Sequence, residues 1–152
     1  MRTHPERRGG FTLIEMLVVI IMIGALTAVA LPYLRSGTNK SAARGAADAI
    51  VAMHALARTA AIQRGRTANL VLASGTNKAL VVARKVASSG VDTLGTVVDL
   101  ARQFGVTVTS TRDSIGFSPR GIGTNSSSVR IIVSKTGFFD TLTVSRGGRM
   151  KR

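Results

Sequence analysis

Glu15 is the residue whose chemistry most needs an explanation, because it is a single carboxylate at the start of a long uncharged run, residues 16–34. A carboxylate inside a membrane helix costs roughly 2.5–3.5 kcal/mol and therefore needs a partner. A cut just before Phe11 would create an α-amino group close to Glu15. The Gly9-Gly10 step offers a flexible, accessible backbone for that cut. These residues suggest proteolytic processing followed by ion pairing.

The run after Glu15 is hydrophobic on all sides, which is typical of a membrane span or of the core of an assembly. Together with residues 11–14 it exceeds the ~20 residues that cross a bilayer. Arg2, Arg7 and Arg8 precede it. The positive-inside rule then predicts a cytoplasmic N-terminus and a head on the other side of the membrane.

Two other interpretations of this N-terminus stay open. The small residues of Ala28-Val29-Ala30 satisfy the cleavage rule of an ordinary secretory signal, which would release a soluble protein but leave Glu15 unexplained. The other interpretation is an uncleaved membrane anchor that tolerates a carboxylate at its edge. Sequencing the N-terminus of the mature protein separates the three.

The segment Gly10-Phe11-Thr12-Leu13-Ile14-Glu15 resembles the class III signal of type IV pilins and type II secretion pseudopilins. In that family a basic leader ending in Gly precedes Phe-Thr-Leu-Ile-Glu and an apolar helix. The resemblance implies that a prepilin peptidase cuts after Gly10 and methylates the amine of Phe11. It also implies that Glu15 pairs with the Phe11 amine of a neighbouring subunit, and that the helix bends at Pro32.

Composition indicates a small, basic, β-rich head behind the anchor. The 152 residues carry a formal net charge of +14, one Tyr, no Trp and no Cys. A head this poor in aromatics suits a small β core, and without Cys it has neither a disulfide nor a thiolate metal site. Because the charge lies mostly outside the leader, we expect attraction to phosphates or to an acidic protein partner.

Periodicity predicts the order of elements in the head. Residues 34–63 continue as a helix that ends at Gly65, with a possible loosening at Gly37-Thr38-Asn39. Residues 93–101 are ambiguous between strand and short helix, 121–128 indicate a mobile loop, and 146–152 an exposed basic tail. The predicted strands are 68–73, 78–85, 105–111, 115–118, 129–134 and 138–145. For His54 a structural or exposed role is predicted in preference to a catalytic one.

Three segments of the head resemble the GspH/FimT group of minor pilins: residues 57–65 before the first strand, Ile115-Gly116-Phe117-Ser118-Pro119-Arg120-Gly121, and residues 144–151, with Lys151 where that group usually has Arg. The implied fold class is α+β, a long N-terminal transmembrane and assembly helix packed on an antiparallel β-sheet head. The predicted domains are a leader (1–10), a transmembrane and filament-core helix (11–34), its amphipathic continuation (35–65), the head (66–145) and the basic tail (146–152).

No catalytic set, metal site or cofactor motif is found, because the carboxylates of the head are scattered and no phosphate loop occurs. The resemblance implies a non-enzymatic minor pseudopilin of a periplasmic type II secretion filament, anchored by one span in the inner membrane. Its partners would be prepilin peptidase, other pilins and the inner-membrane assembly platform. The alternative is a FimT-like pilin that binds double-stranded DNA for uptake. Its candidate phosphate-binding residues are Arg146, Arg149, Lys151, Arg152 and Arg120.

Overall fold

The structure is a computed structural model that describes residues 10–84 and 90–152. The predicted leader therefore lies outside the described residues except for Gly10, and so does Lys85 at the end of the second predicted strand. The chain forms two compact units, one ending at Gly37 and one comprising Thr38–Arg152. Each unit is described by itself.

The described part of the first unit is helical from Leu13 onwards and belongs to helix α1 (Leu13–Arg64). Its apolar side chains are exposed on every side of the helix, as expected for a segment that another apolar phase covers. By length and composition, this helix can cross a membrane. It continues through Pro32 and through Gly37-Thr38-Asn39, so the predicted loosening at that tripeptide is wrong.

In the second unit, α1 buries one stripe of mostly small side chains. The stripe consists of Ala43, Ala46, Ala47, Ile50, Met53, His54, Ala57, Ala60 and Ala61. The helix ends as predicted at Gly65, whose φ of 59° is left-handed. The N–H of Arg66 donates to the carbonyl of Ala61 at 3.1 Å, which is the longer bond of a Schellman motif.

Strands and one short helix follow α1 in the described part of the chain. They are β1 (Ala68–Ala73), β2 (Lys78–Arg84), β3 (Val91–Asp99), α2 (Leu100–Phe104), β4 (Thr107–Ser110), β5 (Ser114–Phe117), β6 (Val129–Lys135), β7 (Phe138–Val144) and β8 (Met150–Lys151). Sheet A has the order β3-β2-β1-β5 and sheet B the order β4-β6-β7-β8. All pairings in both sheets are antiparallel, which confirms the predicted α+β class.

Residues 93–101, which the sequence left ambiguous between a strand and a short helix, contain parts of both. The strand β3 ends at Asp99 and the helix α2 begins at Leu100. The side chain of Asp99 accepts a hydrogen bond from the N–H of Arg102 at 2.9 Å and so caps the short helix. Leu100 is buried in the core, which fixes α2 at the edge of sheet A.

Two further predictions are corrected by hydrogen bonds. The segment 121–128, predicted to be a mobile loop, is held where the N–H of Gly123 donates to the carbonyl of Gly147 at 3.0 Å. The tail 146–152, predicted to be an exposed basic tail, does keep its four basic residues exposed, but it also folds back so that β8 pairs with β7, and Gly148 is buried. Both corrections have one cause, since the segment and the tail lie against each other.

One hydrophobic core joins the α1 stripe to the inner faces of both sheets. Its largest fully buried side chains include Phe117, Ile50, Leu70, Leu72, Leu100, Ile115, Ile131 and Leu142. The small alanine side chains of α1 let the helix approach the strands closely. The core therefore positions the head segments that carried the family resemblance.

Candidate functional sites: the N-terminal segment and the glycine crossing

The N-terminal segment begins α1 with a side-chain cap. The N–H of Glu15 donates to Oγ1 of Thr12 at 3.2 Å, so Thr12 is the N-cap residue and Glu15 lies at the third helical position. Ser or Thr followed three residues later by Glu is the sequence pattern of a capping box. The sequence prediction did not single out Thr12, although this pattern was available to find it.

The Glu15 carboxylate has no cation within ion-pair distance among residues 10–84 and 90–152. Its place in the first turn of α1 is favourable for the helix dipole by about 0.3–1 kcal/mol. That gain is smaller than the roughly 2.5–3.5 kcal/mol that a carboxylate costs within a membrane. The interaction with the helix dipole alone therefore does not offset a cost of that size.

Gly10 and Phe11 precede the helix and are exposed. Pro32 lies inside α1 and, lacking an N–H, removes one helical hydrogen bond. Within the first unit, Gly10, Phe11 and Glu15 therefore lie at one end of the helix. Pro32 lies about five turns further along.

In the head, two segments that resemble the GspH/FimT group cross at glycine residues, which we call the glycine crossing (Phe117–Gly123 with Ser145–Gly148). A Cβ added to Gly123 would lie 2.4 Å from the carbonyl oxygen of Arg146. A Cβ added to Gly148 would lie 2.8 Å from Cε1 of Phe117. The φ of 82° at Gly148 also belongs to the left-handed region that favours glycine.

The turn that carries the basic motif is fixed by its own hydrogen bonds. The N–H of Gly148 donates to the carbonyl of Ser145 at 2.9 Å, and the N–H of Ser145 donates to the carbonyl of Arg149 at 2.9 Å. Oγ of Ser145 accepts from the N–H of Arg149 at 3.1 Å. The backbone between Arg146 and Arg149 is therefore a defined turn, with both side chains exposed.

His54 supports the glycine crossing from α1. Its ring meets that of Phe117 edge-on, with centroids 5.0 Å apart and an interplanar angle of 79°. His54 is buried, and its Nε2 has no hydrogen-bond partner among the residues that the structure describes. Burial lowers the pKa of His54 below its ordinary value and the nearby Arg58 lowers it further, while the backbone of Gly148 acts in the opposite direction. Of the two roles predicted for His54, structural or exposed, this packing agrees with the structural one.

The candidate phosphate-binding residues separate into two groups. Arg120, Arg146, Arg149 and Lys151 are exposed and have no carboxylate within ion-pair distance among the residues that the structure describes. Arg152 is different, because its guanidinium binds Asp48 of α1 and Asp140 of β7. The hydrogen bond with Asp140 is the main cause that raises the pKa of Arg152.

The role of Arg152 in the structure is to hold the last described strand. Its Nε donates to Oδ2 of Asp140 at 2.9 Å, and its NH1 donates to Oδ1 of Asp48. With its charge balanced by two carboxylates, Arg152 is poorly suited to hold a phosphate. It is therefore left out of the phosphate-binding group proposed below.

The fold and the N-terminal segment define a class: a subunit built like a pilin, with an apolar helix that continues into a β-sheet head. The minor pilin FimU of Pseudomonas aeruginosa matches with a TM-score of 0.56 at 18% identity, over 79% of this chain and 91% of that one. The minor pseudopilin EpsH of the Vibrio cholerae type 2 secretion system matches with a TM-score of 0.54 at 12% identity, over 74% and 94% of the two chains. At these identities the likeness establishes the fold.

The family is established by sequence. Residues 46–148 match the family described as type II transport protein GspH, and residues 6–31 match the prokaryotic N-terminal methylation motif. A search of curated proteins gave no match. The chain belongs to the GspH family. It is a minor pilin or pseudopilin of a type II secretion or type IV pilus-like system, a membrane-anchored structural subunit and not an enzyme.

Proposed function

We propose that the chain is a pseudopilus subunit of a type II secretion system, held in the inner membrane by one span with its head in the periplasm. The observation that carries the proposal is Glu15, a carboxylate at the start of an exposed apolar helix, with no cation within ion-pair distance among the described residues. Assembly supplies both what covers the helix and what pairs with the acid. The match to the type II transport protein family favours secretion over other pilus-like machines.

In this proposal, prepilin peptidase removes residues 1–10 and methylates the amine of Phe11. Residues 11–34 form the transmembrane and filament-core helix, 35–65 its amphipathic continuation, 66–145 the head and 146–152 the basic tail. Glu15 then pairs with the Phe11 amine of a neighbouring subunit, so that a buried ion pair sets the register of the filament, a use of buried charge with good precedent. Pro32 adjusts the path of the helix within the filament.

N-terminal sequencing of the protein purified from membranes tests the processing step. The expected first residue is an N-methylated Phe11, and a start at Met1 or near Leu31 would contradict the proposal. Assembly is tested with Glu15→Gln, using the neighbouring change Met16→Leu as the control. Losing an ion pair that offsets ~2.5 kcal/mol should lower incorporation into filaments at least about tenfold.

The two variants also separate anchoring from assembly. Glu15→Gln removes the membrane cost of the charge, so it should be found in the membrane as abundantly as Met16→Leu while failing to enter filaments. Equal incorporation of the two variants would refute the pairing. For the secretion assignment, a strain lacking the gene should lose export of secreted enzymes, and normal export with defective DNA uptake would refute it.

A second function, DNA binding for uptake, is favoured by one observation. Arg146, Arg149 and Lys151 are exposed without carboxylate partners in the described part of the chain, and so is Arg120, which lies within the glycine crossing. Such cations would contact phosphates without reading sequence, and binding would weaken steeply with salt. In a gel shift with duplex DNA, Arg146→Gln with Arg149→Gln should weaken binding at low salt, and unchanged mobility of DNA with the unaltered protein would refute this function.

A further inference from the structure

A pocket of about 230 Å³ on sheet B is formed by residues that all carry hydroxyl or guanidinium groups. These residues are Thr111, Arg112, Ser127, Ser128, Arg130 and Thr143. The volume is below the roughly 300–1,000 Å³ of pockets for drug-sized ligands. A pocket of this size and chemistry suits a single small oxyanion with some water, not a nucleoside or a cofactor.

The backbone around the two arginines is fixed by hydrogen bonds. The N–H of Thr111 donates to the carbonyl of Arg130 at 3.0 Å, and the N–H of Arg130 donates to Oγ1 of Thr111 at 3.0 Å. Oγ of Ser110 donates to the carbonyl of Arg112 at 2.7 Å. NH2 of Arg112 donates to Oγ of Ser126 at 2.8 Å, which orients the guanidinium and leaves its other donors available.

The charge of the pocket is not neutralised. Neither Arg112 nor Arg130 has a carboxylate within ion-pair distance among residues 10–84 and 90–152. Asp113, the acidic residue next to Arg112 in sequence, accepts a hydrogen bond from Ser74 at 3.2 Å and does not line the pocket. Two planar guanidinium groups beside several hydroxyls are the donor set that matches phosphate oxygens.

Beside the pocket, a second cation lies on the outer face of sheet B, two strands away from Arg130. Arg130 of β6 pairs with Thr143 of β7, which pairs with Lys151 of β8, so the three lie side by side across the strands. All three are exposed, because the residues that alternate with them along the strands face the core. At ~4.8 Å between strands, Arg130 and Lys151 are about 10 Å apart.

No carboxylate interrupts this row of three residues, since Asp140 of β7 alternates to the other face and binds Arg152. Two cations about 10 Å apart on a face without acids suit an extended polyanion better than an isolated anion. Phe139 is the one aromatic side chain exposed on these strands, too few for stacking along a single strand. The surface is therefore suited to contact with the backbone of a duplex.

We propose that the Arg112–Arg130 pocket binds a backbone phosphate of duplex nucleic acid, which then crosses the outer face of sheet B toward Lys151. The proposal rests on the DNA-binding function above, but it places the main contact on the sheet and not in the turn between Arg146 and Arg149. Lys151 joins the two surfaces.

The test measures binding of a fluorescently labelled duplex to the full chain in non-ionic detergent by anisotropy at ~50 and ~200 mM salt. The pocket variant is Arg112→Gln with Arg130→Gln. The control, Arg84→Gln with Arg102→Gln, removes the same charge from exposed positions on β2 and α2. The pocket variant should bind roughly tenfold more weakly at low salt. Its slope of log K against log salt should be shallower by about 0.9, for the one lost phosphate contact.

Arg130→Lys keeps the charge but loses the fork geometry, so it should fall between the unaltered protein and the pocket variant. Circular dichroism checks that each variant folds. Equal weakening in the pocket and control variants would overturn the proposal, as would the absence of duplex binding by the unaltered chain.

Two further outcomes distinguish duplex binding in the pocket from duplex binding through Arg146 and Arg149, and from binding of lipid headgroups. If only Arg146→Gln with Arg149→Gln weakens duplex binding, the DNA function survives and the pocket assignment fails. If the pocket variant loses binding to phosphatidylglycerol vesicles while duplex binding is unchanged, the pocket serves lipid headgroups and the nucleic-acid assignment is overturned.

Discussion

The glycine crossing makes a sharp prediction at Gly148, where a single added methyl group meets packed atoms. In Gly148→Ala the new Cβ would lie 2.8 Å from Cε1 of Phe117 and 3.0 Å from the backbone nitrogen of Gly123. Phe117 is fully buried and Gly123 is held to Gly147, so neither neighbour can give way cheaply. The neighbouring Gly147 has no atom within 4 Å of an added Cβ and is the matched control.

The expected magnitude has two parts. Placing a non-glycine residue at the φ of 82° of Gly148 costs about 1–2 kcal/mol. Forcing a methyl group into a well-packed site costs about 1–3 kcal/mol more. Both variants restrict the unfolded chain equally, by about 0.4–1 kcal/mol, and the comparison cancels that effect. Gly148→Ala should therefore lower the free energy of unfolding by about 2–5 kcal/mol relative to Gly147→Ala.

The assay is guanidinium unfolding of the full chain in detergent, followed by the far-ultraviolet circular dichroism of the strands. The midpoint for Gly147→Ala should stay close to that of the unaltered protein, while the midpoint for Gly148→Ala should fall clearly below it. Coincident curves for the two variants would show that the segments do not cross as closely as the structure has them.

The remaining predictions concern charge. The lowered pKa of His54 means that its contribution to stability is complete above the ordinary pKa of about 6.5 and is lost as pH falls through the folded value. His54→Gln should therefore flatten the loss of thermal stability between about pH 7.5 and 5, and an unchanged loss would contradict this. Asp140→Asn should lower the free energy of unfolding by about 0.5–1 kcal/mol through Arg152. The control Asp92→Asn, from an exposed pair with Arg64, should cost less. Equal effects of Asp140→Asn and Asp92→Asn would show that Arg152 does not hold β8.

Much of the fold follows from local signals in the sequence. The spacing of alanines along α1, Gly65 as its end, and the hairpins around residues 74–77 and 135–137 are set by neighbours within a few positions. These local preferences agree with the final packing, so the helix and most strands were predicted close to their observed bounds. The N-terminal methylation motif was also recognisable in the sequence, because the pattern that indicates it lies within six consecutive residues, 10–15.

The parts that were missed depend on contacts between distant segments. The strand β8 forms because residues 150–151 pair with β7. No local signal in the sequence distinguishes these residues from a solvated basic tail. Likewise the loop 121–128 is held by Gly147, which is distant in sequence. The Arg112–Arg130 pocket combines a turn, a loop and two strands. The spacing of residues in the sequence does not indicate which of these segments lie next to one another in the fold.

The glycine crossing also bears on where the head can fold. Its two segments are joined by main-chain hydrogen bonds and tight backbone contact, in a chain of 152 residues without cysteine. This closure needs no oxidant and is not undone by a reductant. The head should reach the same structure when produced in a reducing cytosol as in an oxidising compartment.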